Sequence, residues 1–128
     1  MIRLADLARV VGGSIHGGDP TVNGLAMDWR MVRSGDLFAV IRGQHADGHE
    51  FIAQALARGA VAVCDTEAAD GHPTLLVPDP RAALAPLAAA IHGYPARALR
   101  LIGITGTLGK TSTVMLVETA LEAAGQSP

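Results

Sequence analysis

Lys110 is the only lysine in this 128-residue chain; the other basic residues are all arginines. It stands in a glycine-rich stretch, Gly103-Ile104-Thr105-Gly106-Thr107-Leu108-Gly109-Lys110-Thr111-Ser112. Glycines at this density let successive backbone N–H groups converge on an anion, and a helix starting directly after them adds positive potential at the same point. A lysine there supplies a charge for the β- and γ-phosphates of a nucleotide, and the hydroxyl that follows, Thr111, is placed to reach a magnesium ion. The strict pattern for such a loop would require glycine at position 104, where isoleucine stands, so the argument rests on context. An ordinary strand–turn–helix connection would leave a cation opposing the helix dipole and three closely spaced glycines without a purpose. The residues point to nucleotide phosphate binding.

The elements that must position this loop can be read from periodicity. A strand is expected over Ala98–Ile102 before the loop and a helix over Lys110–Ala124 after it. Upstream, Leu4, Leu7, Ala8 and Val11 repeat at helical spacing, with Gly12-Gly13 as the stop. Short strands are expected at Ser14–His16, Val22–Met27 and Leu37–Ile41, and a helix over His49–Arg58 ended by Gly59. Strands at Val61–Cys64 and Thr74–Val77 flank an acidic loop from Asp65 to Gly71. Asp79-Pro80 reads as an N-cap followed by proline at the first helical position, opening a helix to His92 that Pro86 should kink. Gly93-Tyr94-Pro95 reads as a domain linker. Strands alternating with helices define an α/β chain.

Composition narrows the classes. Apolar residues make up 49% of the chain and charged residues 17%, which is the balance of a core-forming protein. A formal net charge of −2 gives no electrostatic case for nucleic acid or an anionic membrane. The single cysteine, Cys64, lies in an apolar run and reads as a small buried hydrophobe. His45 and His49 are four residues apart, but Gly48 between them argues against a shared helical face for a metal. No stretch has the length and apolarity of a membrane span or signal peptide, so a cytoplasmic location is expected.

Thr105-Gly106-Thr107-Leu108-Gly109-Lys110-Thr111 resembles the variant phosphate loop of the Mur ligases, the enzymes that build the peptide stem of the bacterial cell wall. Further upstream, Asp28-Trp29-Arg30, Ser34-Gly35-Asp36-Leu37-Phe38, Ala46-Asp47-Gly48-His49-Glu50-Phe51-Ile52 and Gly59-Ala60-Val61-Ala62-Val63 resemble, in order, the N-terminal domain of third- and fourth-step members. Val77-Pro78-Asp79-Pro80-Arg81-Ala82-Ala83-Leu84 and Tyr94-Pro95 are most similar to the third-step, MurE-type branch. The resemblance implies a small mixed-sheet N-terminal domain over residues 1–95 that binds a UDP-N-acetylmuramoyl (UDP-MurNAc) substrate. It implies that residues 96–128 are the first strand–loop–helix unit of a central ATP-binding domain.

Carried over residue by residue, the resemblance assigns ATP to Gly106, Thr107, Leu108, Gly109, Lys110, Thr111 and Ser112. Lys110 would be catalytic, neutralising charge on the transferred phosphoryl group, and Thr111 would ligate Mg2+. Met27, Trp29, Gln44, His45 and Ala46 would hold the UDP-MurNAc end of UDP-N-acetylmuramoyl-dipeptide, with His45 directed at uracil or pyrophosphate. Trp29 replaces a serine common in the family and would either stack on uracil or fill the pocket; Leu108 replaces a common asparagine. Asp28 with Arg30, Gly35 with Asp36, and Asp47 with Gly48 also read as turn chemistry. The activity implied is the ATP-dependent addition of a diamino acid to UDP-N-acetylmuramoyl-L-Ala-D-Glu. The chain by itself is expected to be inactive and to self-associate through residues 98–128. The competing expectations are a stand-alone UDP-sugar or nucleotide-binding module without chemistry, and a compact P-loop kinase or NTPase.

Overall fold

The computed structural model describes residues 1–43 and 47–127. It divides into two compact units, Met1–Pro95 and Ala96–Pro128.

The first unit opens with β1 (Ile2–Arg3) and α1 (Leu4–Val11), followed by β2 (Ser14–His16), β3 (Thr21–Val22) and β4 (Gly24–Ala26). Next come β5 (Asp36–Ala39), α2 (Ile52–Ala57), β6 (Ala62–Asp65), β7 (Thr74–Leu76) and α3 (Pro80–Ile91). Short 3₁₀ turns occupy Trp29–Met31 and Gly48–Phe51. The main sheet runs β2-β7-β6-β5-β4. β4 to β7 are mutually parallel, and β2 joins the edge beside β7 antiparallel. β1 and β3 form a separate antiparallel ribbon.

Every residue of β5 and β6 is buried. Side chains alternate across a strand, so such strands need apolar partners on both faces. Leu37, Ala39, Ala62, Cys64 and Leu75 pack with Leu4 and Leu7 of α1 and with Ala83 and Leu87 of α3. On the opposite face, Ala26, Phe38, Val40 and Val63 pack with Ala55 of α2 and with Ala60. Helix ends are set locally. Gly12 ends α1 in the left-handed region at φ 64°, which glycine adopts without strain. Asp79 opens α3 by accepting from the Arg81 and Ala82 N–H groups at 2.8 and 3.1 Å, and α3 continues through Pro86 to Ile91.

The structure departs from the sequence reading in four places. The run expected as one strand from Val22 to Met27 divides at Asn23, whose N–H is taken by the Gly35 carbonyl at 2.8 Å, so β3 and β4 join different sheets. The helix expected from His49 begins as a 3₁₀ turn and is α-helical only from Ile52. Asp65, expected in a loop, is the buried last residue of β6.

The fourth difference is in the second unit. The strand expected over Ala98–Ile102 is not formed: Pro95–Ala98 make a 3₁₀ turn, and residues 99–106 have no regular structure. A parallel strand exists only as a rung beside a hydrogen-bonded neighbour, and no described residue supplies one. The helix is present as α4 (Lys110–Ala123). Among the described residues, no helix is long and apolar enough to cross a membrane.

Leu75 is fully buried at the centre of one core, whereas Asp79 acts only through its cap. Leu75→Ala should cost about 2–5 kcal/mol, and Asp79→Ala about 1 kcal/mol. Urea denaturation checks the order of the two midpoints; a larger loss for the cap variant would contradict this description of the core.

Candidate functional site

Four parallel strands end on the same side of the sheet, and their carboxyl ends lead into Met27–Asp28, Val40–Arg42, Asp65–Thr66 and Pro78–Asp79. Open α/β sheets bind ligands at this edge, where the chain leaves each strand and a crevice remains. Described residues line several clefts there, two of which contain side chains of chemical interest. One, of about 450 Å³, is lined by Met27, Asp28, Trp29 and Arg30 after β4, by Phe38 and Ile41, and by Gly48 and Phe51. The other, of about 400 Å³, lies between Arg42, His49, Asp65, Thr66, Asp79 and Arg81.

The first cleft brings together two residues expected at a nucleotide site. Met27 is 65% exposed at its mouth. Trp29 lies in the 3₁₀ turn with its indole stacked on the Phe51 ring, centroids 6.4 Å apart and planes 17° from parallel. Trp29 is thus held as an aromatic wall by Phe51. The turn is held by Asp28, which accepts from the Arg30 N–H at 2.9 Å and from its guanidinium at 2.7 Å. The Arg30 guanidinium and backbone N–H hold the Asp28 carboxyl below the usual carboxylate range. Asp28 and Arg30 are therefore the ion-paired turn that their spacing suggests.

Gly48 lines the same cleft, and its identity is set by Ile41. A Cβ there would lie 2.8 and 2.9 Å from the Ile41 backbone N and O. The Gly48 N–H also donates to the Ile41 carbonyl at 3.2 Å. Glycine is required here by close approach of two backbones. Asp47 accepts from the His49 N–H at 3.1 Å, the turn chemistry expected of Asp47-Gly48. Gln44, His45 and Ala46, the other residues assigned to this substrate, lie outside the described residues.

The sequence reading missed the arrangement around His49. Its Nδ1 is 2.5 Å from an Asp47 oxygen and its Nε2 is 2.8 Å from an Asp65 oxygen. Asp65 is 3% exposed, and its other oxygen accepts from the Thr66 N–H at 2.6 Å. The Asp47 hydrogen bond, assisted by the charges of Asp65 and Asp47, raises His49 above the ordinary imidazole value. The same contact lowers Asp47. No spacing in the sequence marks this pair, because β5, α2 and β6 must first assemble to join Asp65 to His49. Among the described residues, no group of three or more His, Cys, Asp or Glu side chains could hold a metal. Cys64 is buried, and desolvation pushes its thiol up to about 12.

In the second unit, Gly109 precedes α4 in the left-handed region at φ 78°, and Gly106 has φ 151°. No side chain caps α4, in contrast to α3 with Asp79. The Lys110 ammonium turns back to donate to the Gly106 carbonyl and, at 3.5 Å, to that of Thr107. Gly106 to Ser112 therefore present a glycine turn, an uncapped helix start and a cation together, a combination suited to an anion.

Comparison with known proteins gives this architecture its family. A profile described as "Mur ligase family, catalytic domain" matches residues 21–92. The chain belongs to the Mur ligase family. It is 51% identical over 111 residues, 84% of this chain, to the UDP-N-acetylmuramyl-tripeptide synthetase of Roseiflexus sp. (strain RS-1), of which it covers 22%. It is 47% identical over 97% of its length to the UDP-N-acetylmuramoyl-L-alanyl-D-glutamate–2,6-diaminopimelate ligase of Geobacter sulfurreducens, of which it covers 25%. The chain thus spans about a quarter of the length of the curated relatives it matches. Crystal structure I of MurF from Acinetobacter baumannii superposes with a TM-score of 0.73 at 26% identity, over 95% of this chain and 28% of that one. The MurF ligase of Thermotoga maritima, solved in complex with ADP, superposes with a TM-score of 0.58 at 27% identity, over 80% of this chain and 24% of that one. The mixed α/β sheet matches these Mur ligase structures.

Gly48→Ala should push the Ile41 backbone away, cost about 1–3 kcal/mol and change the emission of Trp29, the only tryptophan. Thermal denaturation and fluorescence check this; unchanged stability and emission would mean that the two backbones do not meet as described.

Proposed function

We propose that this chain supplies the UDP-MurNAc-binding and ATP-phosphate-binding parts of a MurE-type ligase, which adds a diamino acid to UDP-N-acetylmuramoyl-L-Ala-D-Glu in peptidoglycan synthesis. The observation that carries the proposal is 47% identity, across nearly the whole chain, to a relative named for that reaction. Residues 1–95 are the MurE/MurF-type N-terminal domain, and residues 96–128 are the start of the central ATP-binding domain. The proposed setting is the cytoplasm.

The cleft beside Met27 and Trp29 receives the uridine end of UDP-N-acetylmuramoyl-dipeptide, with Gln44, His45 and Ala46 completing the contacts. An aromatic wall backed by Phe51 suits a flat base, because stacking buries area without fixing rotamer-rich side chains. ATP bound with Mg2+ supplies the phosphoryl group that activates the substrate's free carboxylate, making an acyl phosphate for the incoming amine to attack. The chain's part in that step is electrostatic positioning. Backbone N–H groups from Gly106 to Ser112 would hold the phosphate oxygens, Leu108 contributing through its backbone. Lys110, which donates to the Gly106 and Thr107 carbonyls, would instead neutralise charge on the phosphoryl group when ATP is bound. The Thr111 hydroxyl would ligate the magnesium ion.

The second unit also carries exposed apolar side chains, among them Leu101 at 72%, Ile102 at 62% and Leu116 at 71% exposure. Unpartnered surface of this kind supports self-association through residues 98–128. Light scattering should report a mass above 13.1 kDa; a monomer at every concentration would contradict it.

Lys110→Ala should weaken ATP binding by tenfold or more, given about 1.5–3 kcal/mol for a hydrogen bond to a charged group. The melting temperature and the affinity for UDP-N-acetylmuramoyl-dipeptide should not change. Calorimetric titration with each ligand checks this, and unchanged ATP affinity would remove Lys110 from the site.

A further inference from the structure

His49 is not among the residues lining the cleft of Met27 and Trp29, yet the turn that carries it contributes to that cleft. Gly48 and Phe51 of the 3₁₀ turn line the nucleotide cleft, and His49 lies between them. Its ring ties the turn to the sheet, with Nδ1 on Asp47 at the head of the turn and Nε2 on the buried Asp65 at the end of β6. Both ring nitrogens face carboxylate oxygens, which only accept. A neutral imidazole has one N–H and satisfies one of the two contacts; only the imidazolium, with two, satisfies both.

We infer that His49 is a positioning residue for the UDP-MurNAc cleft: as an imidazolium bridging Asp47 and Asp65 it fixes the Gly48–Phe51 turn against the sheet, and ligand affinity falls as it loses its proton. The inference rests on the assignment of that cleft to the nucleotide.

The charges around the ring fix the sign. Asp47 and Glu50 belong to its own turn, and Arg42, with Nε 4.0 Å from Asp47, comes from the segment after β5. Asp65 comes from β6, and Asp79 and Arg81 at the start of α3 line the same cleft. Asp79 is engaged with the Arg81 and Ala82 N–H groups. The two carboxylates in contact outweigh Arg42, and His49 is raised. A raised histidine holds its bridge below its ordinary value and loses it as pH rises through the folded-state value. Asp47 stays ionised throughout, because it is lowered.

The test is a titration of the full chain with UDP-N-acetylmuramoyl-L-Ala-D-Glu, followed by Trp29 fluorescence at intervals from about pH 6 to pH 8.5, the range in which a histidine changes charge. The diester pyrophosphate of this probe does not titrate there, and His45 is retained in every variant. Affinity of the unsubstituted chain should weaken several-fold as pH rises. His49→Gln should bind several-fold more weakly at low pH and lose that part of the pH dependence. Asp47→Asn is the milder variant, removing only a charge at an exposed position; it should keep low-pH affinity and move the midpoint to lower pH. Equal affinities and superimposable profiles for the unsubstituted chain and His49→Gln would overturn the inference and leave the cleft assignment standing. If His49→Gln does not fold, an unmoved midpoint in Asp47→Asn would overturn it. Absence of binding by the unsubstituted chain at every pH would refute the cleft assignment, and the inference with it.

Discussion

Burial of β5 and β6 on both faces is the constraint from which the rest of the first unit follows. A strand covered on both sides cannot alternate apolar with polar residues, and Leu37-Phe38-Ala39 and Ala62-Val63-Cys64 do not. Parallel neighbours require long crossovers, and those crossovers carry the helices that cover the faces. α1 and α3 take one face and α2 takes the other. The parallel strands end at the same edge, and Asp28, Arg42, Asp65 and Asp79 lie where the chain leaves it. The clefts are thus a consequence of how the sheet is covered.

Asp65 shows how burial and function meet there. A carboxylate inside a protein is costly unless its oxygens are occupied. Here one oxygen takes the Thr66 N–H and the other faces His49. That buried oxygen engages the ring of His49, which lies in the turn whose Gly48 and Phe51 line the cleft beside Trp29. The neighbouring turn at Trp29 is held differently, by an exposed ion pair within two residues of itself.

Much of this was legible in the sequence, and what was not has physical causes. The helical repeat of Leu4, Leu7 and Ala8, the stop at Gly12 and the Asp79-Pro80 cap act within one turn of backbone, so they can be read directly. β1 is two residues long and exists only because Val22 returns beside Ile2, a long-range pairing without a local signal. The split at Asn23 depends on the distant Gly35 carbonyl. The same division holds at the site. Met27 precedes, and Trp29 lies within, an Asp–Arg turn readable from spacing, whereas Gly48 matters because of Ile41, and His49 because of Asp65. In the second unit the glycine turn and α4 depend on local chemistry and are present; the strand over Ala98–Ile102 depends on neighbours and is not.

The central claim is that the carboxyl edge of the parallel strands holds the uridine nucleotide. Amide chemical-shift mapping of the chain during titration with UDP-N-acetylmuramoyl-L-Ala-D-Glu tests it most directly. The account predicts that the largest shifts fall on Met27, Trp29, Gly48 and Phe51. Shifts concentrated at the opposite edge, around Gly35, Gly59 and Ala60, would contradict it.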